Sequence, residues 1–290
     1  MVTGGNGSPD CTDDPADPQI SCKGSELILP AGGVSCRLPD LPTKRIGNSQ
    51  NNNVLCGGGI DGIGHSNCMK LTSSGWVSVT DQLIKDRKHH VSWLVDDGII
   101  LLGGMKGSST TEIVRWDGTN ETFFTLEYKS KKSCAIPDED SLVITGGMVF
   151  VKKVVRYTSR QGNRELLPDM NEGRYSHGCA AFTKETEKVF MLQITPNLYV
   201  ILFTLMFQVY LVAGGRTTNE DGSEGVKLDS TELFIGGKWV TVGPLPVAVT
   251  GVRGVTLDNT VLMAGLICPI YYQFQLSLLQ GALALGDQEK

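Results

Sequence analysis

A short apolar segment that runs directly into two glycines recurs along the chain, and it constrains the fold more than any other feature. The intact pairs are Gly4-Gly5, Gly57-Gly58, Gly103-Gly104, Gly146-Gly147 and Gly214-Gly215, and a damaged sixth copy ends at Ala264-Gly265. Successive copies begin 43 to 53 residues apart, except for one interval of 68 residues. Short strands repeated every ~40–50 residues are typical of β-propeller blades. The sequence therefore predicts an all-β fold built from consecutive blades.

Other features recur in a constant order between the glycine pairs. A strand with a Thr/Ser-Glu start follows the pair, as at Glu112 and Glu232. A turn then leads to an aromatic strand, whose best copies begin at Trp76 and Trp239. A proline-rich link comes next, and an Arg-x-x-His segment opens the following unit. The full copies of that segment are Arg87-Lys88-His89-His90 and Arg174-Tyr175-Ser176-His177. Short strands in this order, bounded by glycine and proline, match one propeller blade.

This order of features resembles the kelch repeat. The resemblance covers residues 1–265 and implies a kelch-type β-propeller, with six blades in the complete form and incomplete first and last blades here. Leu38-Pro39-Asp40-Leu41-Pro42 and His177-Gly178-Cys179-Ala180 look most similar to the stand-alone, cysteine-containing kelch propellers of invertebrates. The first unit lacks its opening strand, the last lacks its outer two, and residues 266–290 show no repeat pattern.

The recurring residues are predicted to support the blades rather than to bind a ligand. A blade cannot bury both of its faces alone, so neighbouring blades must cover it. Glycine permits a tight turn at a strand end, and a Trp on the outer strand stabilises by packing between blades. We expect Arg87, Arg174, Glu112 and Glu232 to bond to loop backbone. The predicted structural residues are the five intact glycine pairs, Trp76, Trp239, Arg87, His90, Arg174 and His177.

The interval of 68 residues contains an apolar segment that does not fit the repeat. Removing residues 189–208 brings Lys188 next to Val209 and shortens the interval to 48 residues. We interpret 189–208 as foreign to the propeller. The alternative is a transmembrane span within 189–213, although its apolar part from 198 to 213 is shorter than the ~20 residues that a bilayer requires. A span would also place the two halves of one propeller on opposite sides of a membrane.

The charge balance argues against nucleic-acid binding. The 290 residues include 26 Lys and Arg against 31 Asp and Glu, which gives a formal net charge of −5. Nucleic-acid binding requires a basic face. The dense basic stretch Lys129-Ser130-Lys131-Lys132 is predicted to be a solvated loop. Glycine accounts for 35 residues spread along the chain, which favours many tight turns.

Eight cysteines, none of them in a zinc-type C-x-x-C pair, suggest disulfides and an oxidising compartment. The candidate pairs are Cys11 with Cys22, Cys56 with Cys68, and Cys134 with Cys179. Buried free thiols are the alternative. Asn6 and Asn120 begin glycosylation sequons, of which Pro9 weakens the first. No signal peptide precedes the first repeat, so we expect the true N-terminus to lie upstream.

Catalytic and cofactor-binding motifs are not evident. The run 57–62 fits G-x-G-x-x-G, but a strand follows it where a dinucleotide site needs a helix. Copper radical oxidases share a kelch-like propeller and need a Tyr–Cys cross-link, a second Tyr and two His. Tyr157, Tyr175 and His177 are present without a matching set. The acidic loop 219–224 lacks the ligand spacing of an EF-hand. We predict no enzyme, no cofactor and no metal site.

The function that this resemblance favours is non-catalytic recognition of a protein or glycoprotein partner. Rigid scaffolds present binding residues on loops, and the long loops after the glycine pairs are 6–24, 59–67 and 216–229. An extracellular location is expected, with a membrane or cytoplasmic location as the alternative. The competing functions are a galactose-oxidase-like copper oxidase fragment and an intracellular ubiquitin-ligase substrate adaptor. The additional domains that complete such oxidases and adaptors are not evident in the sequence.

Overall fold

The computed structural model of the chain is built from β-strands joined by turns and irregular segments, with no helix among the residues that it describes. Those residues are 2–3, 25–28, 35–43, 45, 48–51, 53–60, 63–80, 83–104, 109–126, 128–138, 140–149, 151–158, 162–194, 197–219, 223–257, 260–264 and 271–275. The prediction of an all-β fold is confirmed for this part of the chain.

The strands form six consecutive antiparallel sheets of three or four strands, together with two small hairpins. In chain order the strands are β1 (Val2–Thr3), β2 (Ser25–Ile28), β3 (Ser35–Leu38), β4 (Ser49–Asn51), β5 (Val54–Cys56), β6 (Gly59–Ile60), β7 (Ile63–Gly64), β8 (Cys68–Thr72), β9 (Gly75–Thr80), β10 (Val91–Val95), β11 (Gly98–Leu102), β12 (Thr110–Arg115), β13 (Asn120–Thr125), β14 (Cys134–Asp138), β15 (Ser141–Thr145), β16 (Val154–Thr158), β17 (Arg164–Leu167), β18 (Gly178–Ile194), β19 (Asn197–Ala213), β20 (Arg216–Thr218), β21 (Glu224–Lys227), β22 (Thr231–Ile235), β23 (Lys238–Val242), β24 (Arg253–Leu257), β25 (Thr260–Ala264) and β26 (Tyr271–Gln275).

Strands that follow one another along the chain are hydrogen-bonded neighbours in every sheet. Sheet 1 contains β1–β3, sheet 2 contains β4, β5, β8 and β9, sheet 3 contains β10–β13, sheet 4 contains β14–β17, sheet 5 contains β18, β19, β22 and β23, and sheet 6 contains β24–β26. The hairpins β6–β7 and β20–β21 are inserted between the second and third strands of sheets 2 and 5. The candidate loops 59–67 and 216–229 therefore leave their sheets at the same point of the repeat; the candidate loop 6–24 lies outside the described residues.

The glycine pairs follow the second strand of sheets 2 to 5, and their backbone geometry explains the residue type. Gly103 and Gly104 have φ of 68° and 91°, a left-handed conformation that glycine adopts without steric cost. A Cβ on Gly103 would lie 2.3 Å from the carbonyl oxygen of Ser130. The backbone therefore approaches the segment leading into sheet 4 more closely than any side chain permits.

The second glycine of each pair connects its sheet to the next one. Its N–H donates to a carbonyl oxygen of the segment that leads into the following sheet. These bonds join Gly58 to Arg87 (2.8 Å), Gly104 to Ser130 (2.5 Å), Gly147 to Arg174 (3.0 Å) and Gly215 to Val249 (2.8 Å). One backbone hydrogen bond thus recurs at four successive sheet-to-sheet contacts.

The core lies between consecutive sheets, so the second strands are buried on both faces. All five residues of β11 are buried. Ile100 and Leu102 pack with sheet 4, whereas Ile99 and Leu101 pack with sheet 2. Successive side chains of a strand point to opposite faces, and a sheet covered on both sides reads as a continuous apolar run. This explains why the second strands lack the apolar–polar alternation of a half-exposed sheet.

Two disulfides lie among the described residues, one within a sheet and one between sheets. Cys56–Cys68 joins β5 to β8 of sheet 2, and Cys134–Cys179 joins β14 of sheet 4 to β18 of sheet 5. Both pairs are among the three that the sequence favours; Cys11 and Cys22 lie outside the described residues. The second bond lies in the core between sheets 4 and 5, where it restricts the separation of two sheets in the unfolded chain as well.

The segment 189–208 forms the distal part of a long hairpin. Strands β18 and β19 have 17 residues each, whereas β10 and β11 have five. Only residues 210–213 of β19 pair with β22, and the rest of β19 pairs with β18 alone as far as Asn197 opposite Ile194. The alternative interpretation of 189–213 as a spanning helix has no counterpart, because no described helix is long and apolar enough to cross a membrane.

Sheet 6 differs from the sequence-based expectation. Strand β26 lies inside the segment 266–290, where no repeat pattern was found, yet it pairs with β25 from Tyr271 to Gln275. Its sequence, Tyr-Tyr-Gln-Phe-Gln, is rich in aromatic residues that favour strands but lacks the Glu that marks this position in sheets 3 and 5. The glutamate that marks the third strand is therefore missing from sheet 6, although the third strand itself is present. Sheet 1, in turn, has three described strands.

Deleting residues 189–208 is expected to leave the fold intact. The pairs that hold sheet 5 together, from Gly178 opposite Ala213 to Phe182 opposite Val209, lie outside the deletion. We expect the free energy of unfolding to change by less than about 1 kcal/mol, as measured by urea denaturation followed by tryptophan fluorescence. Leu211→Ala, in the buried part of β19, serves as the control and should cost about 2–5 kcal/mol. A deletion that costs as much as this control would contradict the prediction.

Candidate functional site

A four-residue lead segment precedes each sheet from 2 to 6. These segments are residues 45–48, 87–90, 130–133, 174–177 and 249–252. Where the first residue is arginine, as at Arg45, Arg87 and Arg174, the side chain is at most 1% exposed. A buried charge requires partners that satisfy its hydrogen bonds, so the contacts of these arginines show what the lead segments do.

Arg87 binds the glycine turn and a carboxylate of the sheet that it precedes. Its Nη1 donates to the carbonyl oxygens of Gly103 (2.8 Å) and Thr110 (3.0 Å). Its Nε and Nη2 donate to Oε2 of Glu112 at 3.1 and 2.9 Å. Oε1 of Glu112 accepts the N–H of Ile84 at 3.1 Å. The pair thus joins the glycine turn, the third strand and the loop before the sheet.

Arg174 repeats this arrangement in sheet 5. Its Nη1 donates to the carbonyl oxygens of Gly214 (2.9 Å) and Ser230 (3.0 Å), and its Nη2 donates to Oε1 of Glu232 at 2.6 Å. Oε2 of Glu232 accepts the N–H of Asn171 at 2.7 Å. Both arginines and both glutamates therefore contact loop backbone, and each arginine also pairs directly with its glutamate, a contact that the sequence analysis did not anticipate.

Sheet 2 keeps the arginine but has no carboxylate in the corresponding position. Nη1 of Arg45 donates to the carbonyl oxygen of Gly57 at 2.5 Å, and Nη2 donates to Oδ1 of Asn67 at 2.7 Å. Met69 lies opposite Leu55, two residues before Gly57, and Glu112 has the same register two residues before Gly103 in sheet 3. The sulfur of Met69 is 3.5 Å from Nη2 of Arg45. Burial lowers the pKa of Arg45 to about 10.

Sheet 4 has lost both members of the pair. Ser130 stands in the position of the arginine and Val155 in the position of the glutamate. The Oγ of Ser133 donates to the carbonyl oxygen of Gly146 at 3.0 Å, which replaces the missing guanidinium. Ser130, Ser133 and Val155 border a cavity of about 20 Å³, enough room for one water molecule.

The histidines at the end of two lead segments bond to the preceding sheet. Nε2 of His90 lies 2.6 Å from Oγ of Ser49 in β4, and Nε2 of His177 lies 2.7 Å from Oγ1 of Thr145 in β15. Burial, followed by the positive charge of Arg174, lowers the pKa of His177 well below its ordinary value. His177 is therefore neutral near pH 7 and links sheets 4 and 5.

The third residues of the lead segments of sheets 3 to 6 form a continuous row of backbone hydrogen bonds. They adopt positive φ, at His89 (57°), Lys132 (57°), Ser176 (52°) and Gly251 (69°). The N–H of Lys132 donates to the carbonyl oxygen of His89 at 3.0 Å, that of Ser176 to Lys132 at 2.8 Å, and that of Gly251 to Ser176 at 2.8 Å. A non-glycine residue in this conformation is uncommon. Here the repeated bond holds three of them in it.

Basic side chains are concentrated along this row. Lys88, Lys131 and Lys132 come from two neighbouring lead segments, and burial together with the charges of Lys132 and Lys88 lowers the pKa of Lys131. Arg216, the first residue of β20, forms an ion pair with Glu224, whose Oε1 is also 3.5 Å from Nζ of Lys132. We call Lys88, Lys131, Lys132 and Arg216 the basic cluster; it is the candidate functional site.

The sequence analysis predicted that the stretch containing Lys131 and Lys132 is a solvated loop. The structure instead places both side chains half-buried in the lead segment of sheet 4. Residues 130–133 are hard to recognise as a lead segment in the sequence because Ser130 and Ser133 replace the Arg and His that identify one. Aligning residues 130–133 with 87–90 through the position of the following glycine pair would have found it.

The predicted structural tryptophans bind the chain that leaves the preceding sheet. Nε1 of Trp76 donates to the carbonyl oxygen of Pro39, and Nε1 of Trp239 donates to that of Pro168, both at 2.9 Å. Trp239 is buried in the core between sheets 4 and 5. The fourth strand of one sheet is thus fastened to the link that leaves the sheet before it.

Several candidate sites from the sequence have other surroundings. The run 57–62 contains β6 and leads into β7, with which β6 pairs, rather than into a helix. Tyr157 packs against Phe124, with ring centroids 5.4 Å apart. Tyr175 has a different partner, because its backbone pairs with that of Arg216. Among the described residues no group of three or more His, Cys, Asp or Glu has the arrangement of a metal site.

The candidate loops and glycosylation sites are described in part. Asn120 begins β13, the outer strand of sheet 3, and its side chain is half-buried. The loop 216–229 contains β20 and β21, and the loop 59–67 contains β6 and β7. Gly4, Gly5, Asn6 and the whole loop 6–24 lie outside the described residues.

Comparisons with known proteins support the fold and identify no family. No protein-family model and no curated protein matches the chain. Solved structures do match it, 153 chains in all. One of them, described as "Structure of YjhT", has a TM-score of 0.64 and 11% sequence identity over 88% of this chain and 93% of that chain. At this identity the match shows a shared fold alone.

A double-mutant cycle should show that Arg87 and Glu112 act as one unit. Glu112→Val leaves the buried guanidinium without its carboxylate and should cost about 3–5 kcal/mol of unfolding free energy. Adding Arg87→Ser, which reproduces the serine and valine of sheet 4, should cost less than the sum of the single variants by about 1–3 kcal/mol. Lys153→Ser and Asp169→Val remove an exposed pair and should add independently. Additive costs at Arg87 and Glu112, measured by urea denaturation, would refute the coupling.

The neutral state of His177 predicts a loss of stability in acid. The unfolded histidine takes up a proton near pH 6.5, whereas the folded one does so only at lower pH. The contribution is therefore constant above about pH 6.5 and decreases below it, with a limiting slope of about 1.4 kcal/mol per pH unit. Urea denaturation of His177→Gln between pH 5 and 8, roughly, should show a shallower decrease than the original chain. Parallel curves would show that His177 does not titrate on unfolding.

Proposed function

We propose that the chain is a kelch-type β-propeller, with six blades in its complete form, that binds a protein or glycoprotein partner and catalyses no reaction. The architecture in support is six consecutive antiparallel sheets. Four of the contacts between them use the same glycine-to-lead-segment hydrogen bond. A bond that repeats with the same geometry from one unit to the next is expected when each unit contacts only its neighbours.

The observation that carries the binding proposal is the basic cluster on the row of lead segments. The scaffold beneath it is held together by the buried Arg–Glu pairs of sheets 3 and 5 and by the bond from Ser133 to the glycine turn in sheet 4. The side chains above it come from separate sheets, yet they form one surface. A rigid base with charged groups from several loops is the usual arrangement of a recognition site, and clustered charge speeds association with an oppositely charged partner.

An extracellular location accords with the chemistry of the cysteines. The bonds Cys56–Cys68 and Cys134–Cys179 are compatible with an oxidising compartment, since disulfides are rare in the reducing cytosol. In that compartment the available partners are secreted and cell-surface proteins, which are often glycosylated.

Binding to cell surfaces tests the proposal. The fluorescently labelled chain should bind intact cells saturably, and mild protease treatment of the cells should remove most of this binding. Lys131→Glu combined with Lys132→Glu should weaken it at least about tenfold, because like charge then faces the partner. Lys238→Glu is the matched control: Lys238 is an exposed residue of the outer hairpin of sheet 5, and its replacement should leave binding unchanged.

Thermal unfolding of all the variants must agree, so that lost binding reflects the surface and not the fold. Absence of saturable binding, or equal effects of the cluster and control variants, would overturn the proposal. Production of hydrogen peroxide from galactose by the copper-treated chain would also overturn it, because the chain would then be an oxidase.

A further inference from the structure

Glu224 already occupies the basic cluster. It is the first residue of β21, it pairs with Thr218 of β20, and the Asn219 side-chain amide donates to its carbonyl oxygen at 3.3 Å. Its carboxylate forms ion pairs with Arg216 and Lys132, although the side chain remains 52% exposed. A glutamate on an extended strand is therefore the group that the cluster holds.

The site contains more hydrogen-bond donors than Glu224 satisfies. Tyr175 is 1% exposed, and its hydroxyl has no hydrogen-bond partner among the described residues. Its ring lies 5.3 Å from Nζ of Lys132, and its backbone pairs with that of Arg216. Burial and then the charge of Glu224 raise the pKa of its hydroxyl. Nε of Arg216 and Oγ1 of Thr218 are likewise buried without a described partner. Buried polar groups are normally bonded, so this set of donors indicates a place for a further acceptor.

Stability does not account for the cluster. The buried pairs at Arg87 and Arg174 are each at most 1% exposed on both sides, whereas Arg216 and Glu224 are 26% and 52% exposed. A pair this exposed contributes little to folding. The charges of Lys132 and Lys88 oppose the charge of Lys131, an effect that a bound anion would counter.

We propose that Lys132, Arg216 and Tyr175 form a binding site for a glutamate side chain of an extended acidic peptide, and that Glu224 occupies this site until the peptide displaces it. Only the identification of the ligand as a segment of a protein rests on the proposed function. The cluster, its internal carboxylate and the unsatisfied donors are independent of that function.

A peptide fits better than an anionic glycan because the occupant seen in the structure is a protein carboxylate. Glu224 reaches the cluster from a strand, whose alternate side chains point to the same side. An extended segment with glutamate at alternate positions presents its carboxylates in the same manner. Lys131 and Lys88 lie beside Lys132, where they are placed to bind the next carboxylate along.

The test uses fluorescence anisotropy of a labelled peptide of alternating Glu and Thr at low salt. Glu224→Gln removes the competing charge with little change of shape and should tighten binding about fivefold, because the competent fraction of sites increases. Glu121→Gln is the matched control. Glu121 is exposed and ion-paired with Arg115, so the two variants change the net charge equally. Lys132→Gln in the Glu224→Gln background should abolish the gain.

A peptide of alternating Gln and Thr should not bind any of the variants. The proposal is overturned if Glu224→Gln binds the acidic peptide no more tightly than Glu121→Gln, or if the uncharged peptide binds equally well. Binding of an oligosialic acid without binding of the acidic peptide would also overturn it. Cell-surface binding that survives such a result would leave the proposed function standing, whereas loss of both would reject the two together.

Discussion

The glycine turn at the end of each second strand depends on a buried donor that reaches its carbonyl oxygen. In sheets 2, 3 and 5 the donor is the guanidinium of Arg45, Arg87 or Arg174, and in sheet 4 it is the hydroxyl of Ser133. A glycine turn packed this closely leaves a backbone carbonyl away from water, and an unsatisfied buried acceptor costs ~1–3 kcal/mol. The neighbouring glycine N–H bonds to the next lead segment. The turn therefore connects the interior of one sheet to the start of the following one.

The guanidinium that supplies this donor is charged, and its charge explains why the residues beside the glycine turn differ between sheets. Arginine and glutamate occur together in sheets 3 and 5 and are both absent from sheet 4, where serine and valine replace them. Losing one partner of a buried pair leaves the other charge buried without a partner, whereas replacing both by smaller uncharged groups is far less costly. Sheet 2 is the intermediate case. Arg45 donates hydrogen bonds to the carbonyl oxygen of Gly57 and to the side-chain amide oxygen of Asn67. Without a carboxylate partner, its burial lowers its pKa.

The same lead segments that complete the core also bear the candidate site. Their first and last residues point into the contacts between sheets, and their second and third residues carry Lys88, Lys131 and Lys132 on the row of left-handed backbone. The row is held by backbone hydrogen bonds, which do not require a particular side chain at these positions. In sheet 4 the fold depends on Ser130 and Ser133, which leaves the two lysines between them available for recognition.

Much of the fold followed from local signals in the sequence. The glycine pairs identified the second strands, because close approach of backbone and positive φ require glycine, and the prolines and tryptophans located the fourth strands. The signals failed where tertiary contacts replaced a marker by something of another type. Serine took the place of arginine at 130, and β26 formed without the usual glutamate because pairing with β25 does not require it. The long hairpin of β18 and β19 was recognised as an interruption of the repeat, but its strand conformation was not.

What the sequence by itself determined is the repeated unit: strand order, glycine turns and buried Arg–Glu positions rest on contacts that recur from one repeat to the next, so they leave a periodic record. The tertiary structure alone decided which residues of different repeats meet. Glu224 and Lys132 are far apart in sequence, and their pairing depends on how the hairpin β20–β21 is set against the lead segment of another sheet. This contact between repeats occurs once and leaves no periodic record, which is why the basic cluster and its carboxylate became visible only in three dimensions.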